Sequence, residues 1–198
     1  IEIIRSADGS YSETVIGPLL GLGANYQNRG DYLEARVVFE EARTVNRRIF
    51  GLLNEGQIDI LDLISQTLSS MNLFVEAHEK QLEGLRLMER KYGEDTIEVL
   101  PAIYKYARWL GGNGLYQAER GQYVRAISII RKRLNRESVY MVTPLRETGN
   151  SFRRQKLGEG QGLSSLKRAL IILEAQENID TLAAAQTLRD IGDWNISF

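Results

Sequence analysis

The stretch LGANYQNRGDYLEARVVFEEA, residues 22–42, decides the fold of this 198-residue chain. One helical face of its first half is apolar, because positions i, i+3, i+4 and i+7 are occupied by Leu19, Leu22, Gly23 and Tyr26. Gly30 stands where a left-handed residue ends a helix, and Asp31 is a residue type that caps the next one. The stretch therefore predicts a helix, a tight turn and a second helix.

The second helix is predicted from small and aromatic residues spaced for one buried face. Ala35, Phe39 and Ala42 point inward in this prediction, and the two alanines allow close helix approach. The opposite face is charged and is predicted to be exposed, with Arg36, Glu40, Glu41 and Arg43. No segment shows sustained alternation of period two, so strands are not expected.

The same pattern returns in LYQAERGQYVRAISII, residues 115–130. An aromatic residue, a Gly, a Tyr and an Ala occur in the same order, namely Tyr26, Gly30, Tyr32 and Ala35 against Tyr116, Gly121, Tyr123 and Ala126. A weaker copy, MNLFVEAHEKQLEGL, contains Asn72, Phe74 and Ala77. A fourth copy runs from about Val139 to Glu177, and a fifth begins at Thr181. Such internal similarity predicts an array of repeats.

The repeat length is read from equivalent residues. Ala35 and Ala77 are 42 residues apart, whereas Ala77 and Ala126 are 49 apart. The seven extra residues are predicted to lie at Gly111-Gly112-Asn113-Gly114, as a flexible break.

These residues resemble the tetratricopeptide repeat family, in its longer variant found in kinesin-light-chain-type arrays. The resemblance implies an all-α, right-handed α-solenoid of helix-turn-helix repeats. It implies a single domain over residues 1–198, with an extension at 1–12 and repeats at 13–54, 55–96, 97–137, 138–179 and 180–198. It also suggests a bacterial protein, exported or periplasmic, although no residue identifies the compartment.

Composition excludes several kinds of site. There are 25 basic and 26 acidic residues, so the net charge of −1 argues against a strongly basic nucleic-acid binder. The chain has no Cys, which excludes disulfides, thiolate zinc sites and iron–sulfur clusters. No apolar run approaches the roughly 18 residues of a membrane-spanning helix.

No motif predicts catalysis, a cofactor or a metal. His78 is the only histidine, so the chain has no pair of histidines for a metal. The acidic pairs are interpreted as solvated helix faces or, for Asp59 and Asp62, as a helix start. The glycine-rich stretches 21–23 and 158–162 lack the rest of a nucleotide-binding loop, and 158–162 is predicted to be a turn. The basic run 131–133 is interpreted as a solvated helix end, because no aromatic residues are interleaved with it.

The family resemblance also implies a binding surface. In the family, first helices line a concave face with side chains one and five positions beyond the first consensus Leu. The corresponding residues here are Leu20, Ala24, Asp62, Gln66, Tyr104, Arg108, Arg146, Asn150, Arg153, Arg189 and Asp193. Their arginines favour a protein or peptide segment with acidic groups, because the guanidinium fork recognises carboxylates. The alternative is that these arginines pair with nearby acids such as Asp190, Asp193 or Glu147.

We therefore expect a non-enzymatic scaffold that binds a peptide or protein on the concave face. One alternative is a self-assembling module, because Trp194, Ile196 and Phe198 lack an obvious cover at the C-terminal edge. Another alternative is a regulatory or docking part of a longer protein.

Overall fold

The computed structural model describes residues 12–157, 160–178 and 180–197, and all of its regular structure there is helical. This confirms the prediction of an all-α chain of helix-turn-helix pairs. The predicted extension at residues 1–12 lies outside the described residues apart from Ser12, as do Gly158, Glu159 and Phe198. Contacts divide the chain into two compact units, Ile1–Glu94 (unit 1) and Asp95–Phe198 (unit 2). The prediction of a single domain stays a prediction.

Unit 1 contains four α-helices in two pairs. They are α1 (Ile16–Arg29), α2 (Tyr32–Phe50), α3 (Gly56–Ser70) and α4 (Phe74–Tyr92), and a short 3-10 helix, Glu13–Val15, precedes α1. Each helix packs on the next one along the chain. This pattern of neighbouring contacts is the one that stacked repeats produce.

Unit 2 contains five α-helices. They are α5 (Leu100–Gly112), α6 (Tyr116–Arg133), α7 (Val142–Arg154), α8 (Gln161–Glu174) and α9 (Thr181–Ser197). Short 3-10 helices, Ile97–Val99 and Val139–Met141, lead into α5 and α7. Consecutive helices pack together from α5 to α9, and α9 also contacts α7.

The turn between α1 and α2 forms as predicted at Gly30 but not at Asp31. Gly30 has φ 83°, and its N–H bonds back to the carbonyls of Gln27 and Tyr26, so it is a left-handed helix end. Asp31 makes no side-chain cap hydrogen bond with α2, and its carboxylate pairs instead with Arg29 at 3.1 Å. The predicted capping role of Asp31 is therefore wrong.

The predicted inward face of α2 is buried. Ala35, Phe39 and Ala42 are all fully inaccessible to solvent. Phe39 lies flat against Gly23 of α1, where a Cβ would meet ring atoms at 2.6 and 2.8 Å. Arg43, which the pattern placed on the exposed face, is only 7% exposed, because α4 covers it with Glu83. That part of the prediction is wrong.

Helix starts correct the predicted repeat register. The second helices of the first three pairs begin at Tyr32, Phe74 and Tyr116, so the 42-residue spacing continues without interruption. Gly111 and Gly112 belong to α5 rather than to a seven-residue insertion. Glu119 is therefore the residue equivalent to Ala77. The sequence pattern misleads here because Glu119 occupies the position of the expected Ala, and Ala126, seven residues later, fits the same pattern.

The C-terminal helix is partly covered. Trp194 is 3% exposed, because its indole ring fills the space where Gly162 of α8 has no side chain. Ile196 is 86% exposed. The prediction that Trp194 lacks a cover is therefore wrong, whereas Ile196 lies exposed.

Candidate binding face

The projected residues of the second repeat, Asp62 and Gln66, lie on α3 and are hydrogen-bonded to each other. Gln66 Nε2 donates to Asp62 Oδ2 at 3.2 Å, and Gln81 Nε2 of α4 donates to Asp62 Oδ1 at 2.6 Å. Gln81 is 6% exposed and stands 42 residues after Phe39, so it replaces the core aromatic of the first pair. Asp62 thus satisfies a buried amide in addition to facing solvent.

Leu20 and Ala24, the projected residues of the first repeat, are partly buried on α1. Leu20 packs on a small core cluster that contains Val15, Leu19, Ala42 and Val45. The first pair therefore offers apolar packing at these positions and no charged group for a ligand.

A charged cluster between α2 and α4 was missed from the sequence. Arg43 donates to Glu83, and Lys80 Nζ donates to Glu40 Oε1 at 2.8 Å. Burial raises the pKa of the Glu40 carboxyl, but the hydrogen bond and charge of Lys80, together with Arg43, bring it below its ordinary value. The partners are about 40 residues apart, so spacing along one helix gave no signal.

The projected residue of unit 2 with the most partners is Arg146 of α7. Its Nε and a terminal nitrogen donate to Asp190 Oδ2 of α9 at 2.9 and 2.8 Å. Its other terminal nitrogen donates to Gln186 Oε1 at 3.1 Å. The Arg146 and Asp190 side chains are only 20% and 13% exposed. The alternative in which Arg146 pairs with a nearby acid is therefore the arrangement in the structure.

The remaining projected arginines differ in whether they form ion pairs with described residues. Arg153 lies 3.5 Å from Asp193 of α9, so it too pairs with a nearby acid. Arg108 of α5 and Arg189 of α9 are exposed, and neither forms an ion pair with any described residue. Two of the projected arginines of unit 2 are therefore open to a ligand.

Several buried polar atoms of unit 2 have no hydrogen-bond partner among the described residues. They are Tyr104 Oη, Gln122 Oε1, Tyr123 Oη, Asn150 Oδ1 and Arg153 Nε. The rings of Tyr104 and Tyr123 pack with their centroids 6.3 Å apart. Burial raises the pKa of both hydroxyls, and the charges of Glu147 and Glu119 contribute at Tyr123. A buried polar atom without a partner costs about 1–3 kcal/mol, so each of these atoms needs an explanation.

Glu147, beside Arg146 on α7, was not a projected site residue. Burial raises the pKa of its carboxyl, against the lowering effect of Arg154 and Arg146, while Glu119 and Asp190 raise it further. No described residue forms an ion pair or hydrogen bond with it. Asn150 lies three residues later, on the same side of the helix. The sequence pattern, an acid one turn before a projected Asn, predicts only a partner for the arginines and does not predict an unpaired carboxylate.

A second buried acid, Glu119 of α6, is fully satisfied. Its side chain is 1% exposed and receives hydrogen bonds from Ser151 Oγ at 2.6 Å and from Arg154 at 2.5 Å. Gly111 of α5 leaves the space for it, because a Cβ there would lie 2.5 Å from the Glu119 carboxyl carbon. The carboxylate is therefore a structural link between α5, α6 and α7.

A cleft of about 510 Å³ lies at the ends of α7 and α9, lined by Arg153, Arg154, Lys156 and Ser197. Arg153 and Arg154 already pair with Asp193 and Glu119. Cations at the C-terminal end of α7 also offset the negative end of the helix dipole. The basic character of the cleft is therefore accounted for by these structural contacts.

Within the described residues, no three His, Cys, Asp or Glu side chains come together as metal ligands. No helix in that part of the chain is long and apolar enough to cross a membrane.

The basic run at the end of α6 contacts its own unit: Lys132 donates to Asp95 at 2.7 Å, and Arg133 donates to the Asp95 carbonyl at 2.7 Å.

Comparison with known proteins agrees with this architecture. Residues 15–90 match the family model described as tetratricopeptide repeat. A curated relative, the clustered mitochondria protein homolog of Candida albicans, is 22% identical over 135 residues, which cover 68% of this chain and 9% of that protein. The chain therefore spans less than a tenth of that relative's length.

Two solved structures have a similar fold. BtubC (BKLC) from P. vanneervenii has a TM-score of 0.65 and 15% identity, covering 99% of this chain and 78% of that one. Kinesin light chain TPR-like repeats from Podosopora anserina have a TM-score of 0.64 and 13% identity, covering 92% of this chain and 86% of that one. At these identities the similarity shows the fold, which confirms the predicted TPR-like α-solenoid class.

Proposed function

We propose that this chain binds proteins, because residues 15–90 match the tetratricopeptide repeat model and its fold is similar to kinesin-light-chain-like TPR repeats. Repeats of this family generally mediate protein–protein interaction. In this proposal the chain is a non-enzymatic scaffold, and a peptide or protein segment binds the face of unit 2 that contains Tyr104, Arg108, Asn150 and Arg189. This set is called the unit 2 binding face below.

The observation that carries the proposal is the amide of Asn150. Its side chain is 9% exposed, and its Oδ1 has no hydrogen-bond partner among the described residues. In this proposal the Asn150 side chain turns outward on binding, and a backbone N–H of an extended segment supplies the donor that Oδ1 lacks. The proposal therefore accounts for the unpaired Asn150 amide, which lies on a helix of the unit 2 binding face.

Acidic groups on the ligand would meet Arg108 and Arg189. Both are exposed and without an ion-pair partner among the described residues, whereas Arg146 and Arg153 are engaged with Asp190 and Asp193. An exposed guanidinium has five donors and makes paired hydrogen bonds with a carboxylate. In this proposal Arg108 and Arg189, rather than Arg146, bind the acidic groups of the ligand.

The test is capture of partners by the intact chain, followed by affinity measurement. The double variant Arg108→Glu, Arg189→Glu is expected to weaken binding of a captured partner at least about tenfold, since each reversal removes an attraction and adds a repulsion. The control is Lys167→Glu, an exposed change of the same sign on α8. Equal affinity for all three proteins contradicts a role for this face.

Self-assembly is the second candidate function, favoured by the exposed surface of α9. Leu182, Leu188 and Ile196 are 68%, 54% and 86% exposed. Exposed apolar side chains on one terminal helix are typical of a surface that another molecule covers. Sedimentation velocity over a concentration series distinguishes this candidate: it requires dimers that Leu188→Ser with Ile196→Ser dissociates, and a monomer at all concentrations contradicts it.

A further inference from the structure

A half-buried carboxylate and three buried polar atoms of unit 2 have no hydrogen-bond partner among the described residues, and together they point to a ligand of a particular charge. Four residues form what we call the Glu147 subsite: Tyr104, Tyr123, Glu147 and Asn150. They come from α5, α6 and α7 of unit 2. What they have in common is a polar group without a partner among the described residues.

Contacts connect these residues from α5 to α6 and from α6 to α7. Tyr104 of α5 packs on Tyr123 of α6, with ring centroids 6.3 Å apart. The helix that carries Tyr123, α6, packs on α7, and the negative charge of Glu147 contributes to the raised pKa of the Tyr123 hydroxyl. Asn150 follows Glu147 by three residues, so both side chains share one side of α7.

The cations nearest to Glu147 are committed to other acids. Arg146 holds Asp190 with two of its nitrogens, and Arg154 donates to Glu119 at 2.5 Å. Glu119 also accepts a hydrogen bond from Ser151 Oγ, so both of its carboxylate oxygens have partners. Glu147 therefore remains as a half-buried carboxylate with no ion pair inside the described structure.

The unpartnered atoms are mostly acceptors. An ionised carboxylate only accepts hydrogen bonds, and Asn150 Oδ1 is an acceptor as well. The tyrosine hydroxyls can turn to accept or donate. A complementary group is rich in donors and positively charged, which favours an ammonium or a guanidinium over a carboxylate or a phosphate.

We propose that the Glu147 subsite takes a cationic side chain, Lys or Arg, from the segment bound on the unit 2 binding face. This inference rests on the proposed function and specifies its ligand. The bound segment then has mixed charge, with a basic side chain at Glu147 and acidic groups toward Arg108 and Arg189.

The first experiment is an array of acetylated, amidated 12-residue peptides probed with the intact chain. Each sequence appears in four versions, with Arg, Lys, citrulline or Glu at the central position. Citrulline keeps the shape of Arg without its charge. We expect the Arg and Lys versions of bound peptides to bind about tenfold or more tightly than the citrulline version, as a charged hydrogen-bonded pair is worth that factor.

A matched pair of variants assigns the effect to one carboxylate. Glu147→Gln is expected to bring the Arg and citrulline versions within about twofold of each other. The control, Glu174→Gln, removes an exposed charge at the end of α8 and is expected to preserve the difference. Far-UV circular dichroism of both variants checks that they are folded.

The outcomes separate the two proposals. If peptides bind but citrulline equals Arg, or if Glu174→Gln acts like Glu147→Gln, the cationic subsite is wrong and the binding function stands. If the Glu version binds best, the subsite is also wrong, and the acidic form of the ligand is supported. If no peptide or captured protein binds at all, the proposed function itself is contradicted.

A second measurement needs no peptide. Nα-acetyl-arginine amide, titrated into the intact chain, is expected to shift the Glu147 side-chain carboxyl resonance in the carbon-13 spectrum. Nα-acetyl-citrulline amide is the uncharged control and is expected to leave it in place. Identical responses to the two probes overturn the cationic subsite.

Discussion

Glu119 shows how one residue departs from the repeat while keeping its backbone. It occupies the position that Ala35 and Ala77 hold in the first two pairs, yet its carboxylate is 1% exposed. Burying a charge is costly unless it is paired and hydrogen-bonded, and here Arg154 and Ser151 supply both. The absence of a side chain at Gly111 provides the volume.

Removing that charge is expected to destabilise the protein. Glu119→Gln keeps the size of the side chain but leaves Arg154 without its ion pair, so we expect a loss of about 1–3 kcal/mol in the free energy of unfolding. The control is Glu137→Gln, because Glu137 is 64% exposed and also pairs with an arginine, Arg168. Glu137→Gln should lower the free energy of unfolding by less than about 1 kcal/mol. Urea unfolding measures both, and equal losses would contradict the structural role of Glu119.

Removing the charge of Glu147 is expected to stabilise the protein at neutral pH, whereas removing that of Glu119 destabilises it. Its pKa is raised in the folded chain by burial, so the folded state binds more protons than the unfolded state above the ordinary carboxyl pKa of 4.5. Stability from this group is therefore present at low pH and is lost as pH rises through the folded pKa.

The charged groups facing Glu147 are Glu119 and Tyr123 of α6, Arg146 and Arg154 of α7, and Asp190 of α9. Glu147→Gln removes the ionisable carboxyl, so we expect the variant to melt at a higher temperature than the natural protein at pH 7. The difference should shrink toward pH 4. Thermal unfolding across this range tests the sign, and a variant that is less stable at pH 7 contradicts it.

At the scale of the helix, close approach is decided by a few glycines. Gly23 allows α1 to rest on the Phe39 ring of α2, and Gly149 does the same for α7 against Leu166 of α8. A Cβ at Gly149 would lie 2.5 Å from Leu166 Cγ and 2.9 Å from the Gly162 carbonyl oxygen. These contacts leave no space for even one methyl group.

Two glycines two residues apart in α1 should therefore respond oppositely to alanine. Gly23→Ala forces the buried ring of Phe39 to move, and we expect a loss of about 1–3 kcal/mol. Gly21→Ala meets no atom within 4 Å and gains helix propensity, so it should be neutral or stabilising by up to about 1 kcal/mol. Chemical unfolding of both variants is the measurement, and a stabilising Gly23→Ala would contradict the packing.

At the scale of the whole molecule, the described contacts run mainly between consecutive helices within each unit. Each unit has its own buried residues, such as Phe39 and Ile64 in unit 1 and Tyr123 and Leu166 in unit 2. In arrays of this kind stability is close to a sum of local terms and interfaces between neighbours. A local defect should then remain partly local.

Hydrogen exchange measured by mass spectrometry tests this locality. In Gly23→Ala, amide protection is expected to fall most in residues 16–50, the first helix pair, and least in residues 161–174 of α8. In Gly149→Ala the order should reverse. An equal fall of protection throughout the chain in both variants would show one cooperative unit instead.

How much of the fold was predictable depended on the range of the interactions. The helix pair, the left-handed Gly30 and the buried Ala35 and Phe39 followed from sequence because each depends on neighbours within one or two turns. The register after the second pair did not, because Glu119 replaces the marker alanine and its compensating partners lie 32 and 35 residues away. Spacing alone could not show that a buried acid fits there.

An all-helical repeat chain without motifs for metal or nucleotide chemistry follows from the amino-acid sequence, because periodicity and composition are local properties. Which charges are open to a ligand depends on how the helices pack. Arg146 is occupied by Asp190, 44 residues away, and Glu147 beside it has no partner among the described residues. The physical reason is that an ion pair depends on which helix faces meet: the sequence offered Asp190, Asp193 and Glu147 as partners, and packing selected Asp190 for Arg146.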